Sequence, residues 1–286
     1  MKIHIYNKNF HIKNIQFIQK FIDKNHQEVS DIDSADVIYS PDKFIDISLY
    51  PKKKFIFGPH FSVFPNSVVT KFNNIHKNGV YIQPSQPSVD TWQKEFGFKN
   101  LPMKAIPFGV DTDRFNQTNK KRENVILYYK SRDPNEFNFL LDFLNSKSIS
   151  YRLFSYQKRY SEQEFLDYLK SCKYGIVLDA HESQGFAIEE MLSCNVPLLV
   201  WGSTLRRQEY PYKINYQNLK SKVTTVPYWD DRCGVLFHDA HMLSKSYETF
   251  INRIDTFRPR EFVLESVSYE ACVKKWNKLL QEITSF

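Results

Sequence analysis

Short apolar runs and amphipathic stretches alternate along the chain. "KIHIY" (2–6) reads as a strand, and Ile12, Ile15, Ile18 and Ile22, joined by Phe17 and Phe21, recur at helical spacing. "DVIYS" (36–40), "KFIFG" (54–58), "VYIQP" (80–84) and "MKAIPFG" (103–109) continue the strands, with helices expected near 66–76 and from about 87 to 96. The polar stretch "NQTNKKREN" (116–124) has the composition of an exposed turn or linker edge, and after it the same order restarts. Strands are expected at "VILYYKS" (125–131), "YRLFSY" (151–156), "YGIVLDA" (174–180) and "VPLLVW" (196–201). Between them fall helices at "EFNFLLDFLNSK" (136–147), "SEQEFLDYLKSC" (161–172) and about 186–194. Ser161 with Glu164 three residues on predicts a capping box at the second of these. A last helix, from about 267 to 283, sets Val267, Ala271, Val273, Trp276, Leu279, Leu280 and Ile283 along a largely apolar face.

Strand and helix in alternation predict parallel strands joined by helical crossovers, hence an α/β sheet covered on both faces. A chain of 286 residues suffices for two such domains, each with its own core. The expected architecture is two Rossmann-like domains facing a cleft, residues 1–108 and 109–266, closed by a C-terminal helix over 267–286. Open α/β sheets bind ligands at the carboxyl ends of their strands, so that is where chemistry is sought.

Composition narrows the classes. Hydrophobic residues at 42% with 25% charged residues describe a globular chain rather than a disordered one. The start "MKIHIYNKNFHIKN" has no apolar stretch of signal-peptide length, and no window approaches the roughly 18–20 apolar residues of a membrane span. A soluble, cytoplasmic protein is expected. Cys172, Cys194, Cys233 and Cys272 lie far apart, without CxxC or zinc-finger spacing, and read as reduced core thiols. The net charge of +7 suits an anionic partner, but its lysines are scattered, with short clusters at 52–54 and 120–122 and no basic tract. Nucleic acid is therefore not the expected partner.

The candidate chemistry sits in "HESQGFAIEEMLSCNVP" (181–197). Glu182 follows a strand, Gly185 precedes a helix, and Glu190 lies about one turn into it. The first amides of that helix, around Gln184, Gly185 and Phe186, have no intrahelical acceptor, and the helix start carries partial positive charge, so an anion fits there. A bare anion would be repelled by two carboxylates. Their expected role is to accept hydrogen bonds from hydroxyls of a ligand that also carries phosphate, as a sugar nucleotide does.

At these residues the chain resembles the retaining glycosyltransferases of the GT-B fold, the "group 1" family with its E-x7-E motif. "ESQGFAIEEMLSCNVPLLV" (182–200) is similar to that motif, "IPFGVDTDRF" (106–115) to the interdomain segment, "VILYYKSR" (125–132) to the first C-terminal strand and "VSYEACVKKWNKLL" (267–280) to the closing helix. The resemblance covers about residues 103–283. It implies glycosyl transfer from a nucleotide sugar, a UDP- or GDP-sugar, to a glycan, lipid-linked or protein-linked acceptor, with retention at the anomeric carbon. Basic side chains and the helix start can meet the charge on the leaving group, so no metal is expected. A lipid-linked acceptor would bring the protein into peripheral contact with a membrane.

The resemblance also implies roles. Glu182 would contact donor-sugar hydroxyls near the reacting carbon and Glu190 the ribose. Residues 183–187 (Ser183, Gln184, Gly185, Phe186, Ala187) would bind phosphate, and Lys130 or Arg132 would neutralise the leaving diphosphate. His60, in "IFGPHFSVFP", stands where the family often has a histidine near the donor sugar. The sequence departs from the family in two places. "KSRDPNEF" (130–137) lacks the family's second basic residue, and "YNKNFHIKN" (6–14) replaces the glycine-rich loop usual after the first strand. The pairs Asp31/Asp33 and Asp111/Asp113 have metal-compatible spacing but read as loop and turn residues, and Trp229, Asp230 and Asp231 as a packed aromatic with solvated acids. His181 reads as a loop filler. Two other readings stay open: a non-catalytic nucleotide-sugar or glycan-binding protein of the same fold, and a nucleic-acid-binding protein.

Overall fold

The computed structural model describes residues 1–65, 78–99, 101–118, 121–158, 160–220 and 222–285. The helix expected near 66–76 lies outside them. The chain divides into two compact units, Met1–Gly109 with Tyr269–Phe286, and Val110–Ser268.

In the first unit the order is β1 (Lys2–Ile5), α1 (Ile12–Asn25), β2 (Gln27–Glu28), β3 (Val37–Ser40), β4 (Lys54–Phe57), β5 (Gly79–Gln83), α2 (Gln86–Asp90) and β6 (Met103–Ala105). α2 runs on into a π-helical turn over Thr91–Glu95. The strands are parallel, in the order β2-β1-β3-β4-β5-β6. Every residue of β3 and β5 is buried, which is why these segments read as continuous apolar runs rather than alternating ones. α1 buries Phe17, Ile18, Phe21 and Ile22, the helical stripe legible in the sequence. The C-terminal helix Tyr269–Thr284 belongs to this unit. Its Trp276 donates Nε1–H to the Pro107 carbonyl at 3.0 Å, and the rings of Phe17, Phe21, Tyr39 and Phe108 surround it at 5.5–6.0 Å. Gly109 allows this packing, since a Cβ there would stand 2.6 Å from the Tyr269 Cα.

The second unit contains β7 (Asn124–Lys130), α3 (Pro134–Ser146), β8 (Arg152–Ser155), α4 (Glu162–Leu169), β9 (Cys172–Asp179), α5 (Phe186–Ser193), β10 (Leu198–Trp201), β11 (Gly234–Phe237), α6 (Leu243–Asn252) and α7 (Pro259–Ser266). The Tyr269–Thr284 helix is then α8. The parallel sheet runs β11-β10-β9-β7-β8. β7 pairs with β8 on one side and β9 on the other, so the strand order reverses at β7 and β9, and a ligand crevice belongs at their carboxyl ends.

Several local expectations change. Ser161 caps α4 by accepting from Glu164 N at 3.0 Å, but the Glu164 carboxylate goes to Arg152, so only half of the capping box forms. The helix expected from 267 starts at Tyr269, after a break that follows α7. α6, α7 and β11 were not anticipated. The four cysteines are buried and unpaired by disulfide, and burial pushes the Cys172, Cys194 and Cys233 thiols up to about 12. Among the described residues no helix is long and apolar enough to cross a membrane.

Candidate functional site

Lys130 ends β7 and Asp179 ends β9, and the two are register partners. Glu182, three residues beyond β9, turns back so that its Oε1 accepts from the Lys130 ammonium. Both side chains remain slightly open, 19% for Lys130 and 15% for Glu182. Burial alone would lower the proton affinity of Lys130, but the adjoining Glu182 carboxylate more than offsets it, so the lysine stays charged. The Tyr156 ring lies 4.5 Å from the ammonium, a cation–π contact. Tyr160 is hydrogen-bonded to Tyr128 and within electrostatic reach of Lys130, and burial pushes its hydroxyl up to about 12.

The loop that carries Glu182 is tied down on its far side. Glu182 N donates to the Thr224 carbonyl at 3.0 Å. The Thr225 hydroxyl donates to the Ala180 carbonyl while accepting from Ser203 N at 2.8 Å. His181 accepts from Arg206 Nη1 at 2.6 Å, and burial together with Arg206, Lys130 and Lys213 pushes it down to about 3. It is neutral and buttresses the loop.

Gly185 is the N-cap of α5, with φ +89°. A Cβ would have room, its nearest neighbour being Glu182 Cβ at 3.5 Å, so it is the left-handed backbone that calls for glycine here. α5 opens without a side-chain cap, and its first bonds run from Ile188 N and Glu189 N to the Gly185 carbonyl at 3.0 Å. The other end is closed by two guanidiniums: Arg122 donates to the carbonyls of Cys194 and Asn195, both at 2.7 Å, and Arg260 donates to the Ser193 carbonyl at 2.6 Å. Cations at the carboxyl end suit the helix dipole and fix α5 with its amino end beside Glu182.

The sequence-predicted residues do not all behave alike. Lys130, Glu182 and Gly185 come together; Ser183 is exposed and Phe186 and Ala187 are partly so. Gln184 is buried and donates Nε2–H to Glu189 at 3.0 Å, so its side chain faces inward. Glu190 is 4% exposed, within electrostatic reach of Tyr160. Arg132, a candidate for the diphosphate, is fully buried. Its Nε and Nη2 donate to the two Glu136 oxygens at 2.8 Å, and its Nη1 to the carbonyls of Asp179 and Trp201 at 3.0 and 3.2 Å. With those donors committed it braces the ends of β9 and β10 and does not reach out to a ligand.

His60 lies in the first unit, after β4. Its Nε2 meets Asn14 Nδ2 at 3.0 Å, and the Phe10 and His11 rings lie 5.5 and 6.5 Å away. Burial and the neighbouring His11 push it down to about 4, against Asp42, so it is neutral near pH 7. The first acid of each pair of metal-compatible spacing serves the backbone: Asp31 Oδ1 accepts from Ser34 N at 2.8 Å and Asp111 Oδ1 from Arg114 N at 3.0 Å. Asp230 is forked by Arg232. Asp179, Tyr156, Tyr160 and Arg206 were not anticipated at the site. An acid ending the otherwise apolar run "YGIVLDA" was the one signal available for Asp179.

No family model matches the chain, and no curated protein matches its sequence. Solved structures match its fold. The GtfA/B complex superposes with a TM-score of 0.52 at 16% identity, over 87% of this chain and 57% of that one. WaaG, a glycosyltransferase involved in lipopolysaccharide biosynthesis, gives 0.51 at 10%, over 96% and 98%. The catalytic domain of starch synthase IV from Arabidopsis thaliana, bound to ADP and acarbose, gives 0.50 at 9%, over 96% and 78%. The chain spans about half the length of the first structures it matches, 54–57%. At these identities the likeness shows the fold: two parallel-sheet α/β units with a C-terminal helix, the GT-B fold.

Proposed function

We propose that the protein is a glycosyltransferase that moves a sugar from a nucleotide-sugar donor to a hydroxylated acceptor, with retention at the anomeric carbon. The observation that carries this reading is the meeting of Lys130, Glu182 and the left-handed Gly185 start of α5 at the point where the strand order of the second sheet reverses. As the bond from the anomeric carbon to phosphate breaks, negative charge grows on the diphosphate, and preorganised positive groups must meet it. Lys130 and the amino end of α5 are such groups, which is the basis for proposing transfer without a metal. In the unliganded protein Lys130 is engaged by Glu182, so a diphosphate would compete for its ammonium. Glu182 then accepts from donor-sugar hydroxyls and Glu190 from the ribose. Arg132 contributes by bracing the strand ends. The first unit would take the acceptor, with neutral His60 offering a hydrogen-bonding group at the carboxyl end of its sheet. Retention rests on the family resemblance around Glu182 and Glu190. The fold shared with WaaG and with an ADP-bound starch synthase domain supports the donor class.

The test is a thermal-shift series with ADP, UDP, GDP, CMP and their sugar conjugates, with and without magnesium. A ligand at about 100 times its Kd stabilises the folded state by roughly 2.7 kcal/mol. The expected result is a rise with one nucleoside diphosphate and its sugars, present without magnesium and reduced in Glu190→Ala. A folded protein unmoved by every nucleotide would overturn the reading in favour of a non-catalytic glycan-binding protein.

A further inference from the structure

Asp179 is withdrawn entirely from solvent at the end of β9. Its charged and titratable neighbours come from each element packed against it: Tyr128, Lys130 and Arg132 from β7 and the turn after it, Glu182 from its own loop, and the His181–Arg206 pair beyond. Its Oδ1 accepts from Ala180 N at 2.6 Å, whereas Oδ2 meets no donor. The ammonium of its strand partner Lys130 is drawn to Glu182 instead. The Asp179 carboxyl lies within hydrogen-bonding reach of the Glu182 carboxylate, one acceptor facing another. Two ionised carboxylates so placed would repel, and a buried charge with an oxygen lacking any donor is costly. A single proton between them removes both penalties, because a carboxylic acid donates where a carboxylate cannot.

We infer that Asp179 carries a proton and donates it to Glu182, making Asp179 a positioning residue that holds Glu182 from the buried side while Lys130 holds it from the other. Burial and the Glu182 charge both favour that proton, against the attraction of Lys130. The functional consequence rests on the proposed donor site. When a diphosphate draws Lys130 away, Glu182 keeps one hydrogen-bond donor and is not left as a bare carboxylate beside a second anion.

Stability against pH separates a protonated Asp179 from an ionised one paired with Lys130. If the folded state holds the proton above the ordinary aspartate range, folding binds a proton at neutral pH, and stability falls as pH rises from that range toward the folded pKa. The carboxamide introduced by Asp179→Asn mimics the protonated acid without that cost. The full-length variant should therefore melt roughly 2–4 °C or more above the wild type near neutral pH, and the gap should close toward about pH 4. A variant that melts lower than wild type at neutral pH, with the gap closing in acid, would mean an ionised, paired Asp179 and overturn the inference. A second measurement needs no variant. With aspartate carboxyl carbons labelled by 13C, one resonance should keep its acid-form shift from about pH 5 to about pH 8; all of them reaching the carboxylate shift by about pH 6 would equally overturn it. The positioning role is read with whichever of ADP, UDP, GDP and CMP raises the wild-type melting temperature. Asp179→Ala should lose at least about half of that nucleotide-induced melting shift and Asp179→Asn should restore it; equal shifts in wild type and Asp179→Ala would remove the positioning role. Absence of a shift in wild type with all of ADP, UDP, GDP and CMP would count against the donor site, while the melting and carbon measurements would still decide the proton.

Discussion

Gly185 holds φ at +89° with space around its missing side chain, so the cost of replacing it is conformational and separable from crowding. Gly185→Ala should lose about 1–2 kcal/mol in urea unfolding with an unchanged m-value, and Gly185→Asn less, because asparagine visits the left-handed region more readily. Equal losses in both would mean that the side chain meets something the geometry does not include. Lys130 and Arg132, two residues apart, make a sharper contrast. Arg132 has its guanidinium sealed among Glu136 and two carbonyls, a fork that an ammonium cannot reproduce. Arg132→Lys should therefore destabilise by about 2–4 kcal/mol, seen as a lower urea midpoint. Unchanged stability with lost nucleoside diphosphate affinity would return Arg132 to the role of a diphosphate ligand. Sequence alone showed two basic residues after a strand. It did not show that Glu136, one helical turn on, would draw Arg132 inward and leave Lys130 at the site.

At the scale of elements, what could be read depended on how far apart in the chain the determining contacts lie. The β7–α5 alternation was legible because each element carries its own period, and the Glu182–Gly185–Glu190 spacing was legible because it spans one turn and one helix start. The Lys130–Asp179 pairing was not, since it arises from the register of two strands about fifty residues apart. α6 buries only Leu243, Ser246 and Phe250, and β11 is a four-residue edge strand with half-exposed central residues; neither leaves a strong pattern. α8 was legible as an amphipathic helix, but the unit it serves was not. Its apolar face completes the core of the first unit around Trp276. Trp276→Ala should then cost about 3–5 kcal/mol, and hydrogen exchange should quicken in α1 and β3, whose Phe17, Phe21 and Tyr39 rings it touches. A loss below about 1 kcal/mol would make α8 an appendage rather than part of that core.

Taken as a whole molecule, the two units should answer pH differently. In the first, burial lowers His26 and His60, the latter from 6.5 to about 4. The unfolded chain therefore takes up protons before the folded one, and the stability these groups contribute is present above about 6.5 and lost as pH falls toward about 4. In the second, burial lowers His181 to about 3, with the same sign, while Asp179 shifts upward, with the opposite sign. Over the window from about 5.5, above which the carboxyls of the unfolded chain are ionised, to about 6.5, the two shifts in the second unit offset each other. The first unit should consequently gain stability across that window, by up to about 1.4 kcal/mol per pH unit from His60, while the second stays nearly flat. Above about 6.5 the order reverses: the histidine contributions are complete, and the Asp179 proton makes the second unit lose stability as pH rises. Hydrogen exchange followed by segment, corrected for intrinsic rates, reads both units in one sample, with β4 and β5 reporting the first and β7 and β9 the second. His60→Asn should flatten part of the slope in the first unit and leave the second unchanged. Parallel slopes in the two units of the wild type would mean that the buried groups do not hold their protons as their surroundings dictate, and would remove the offset between His181 and Asp179.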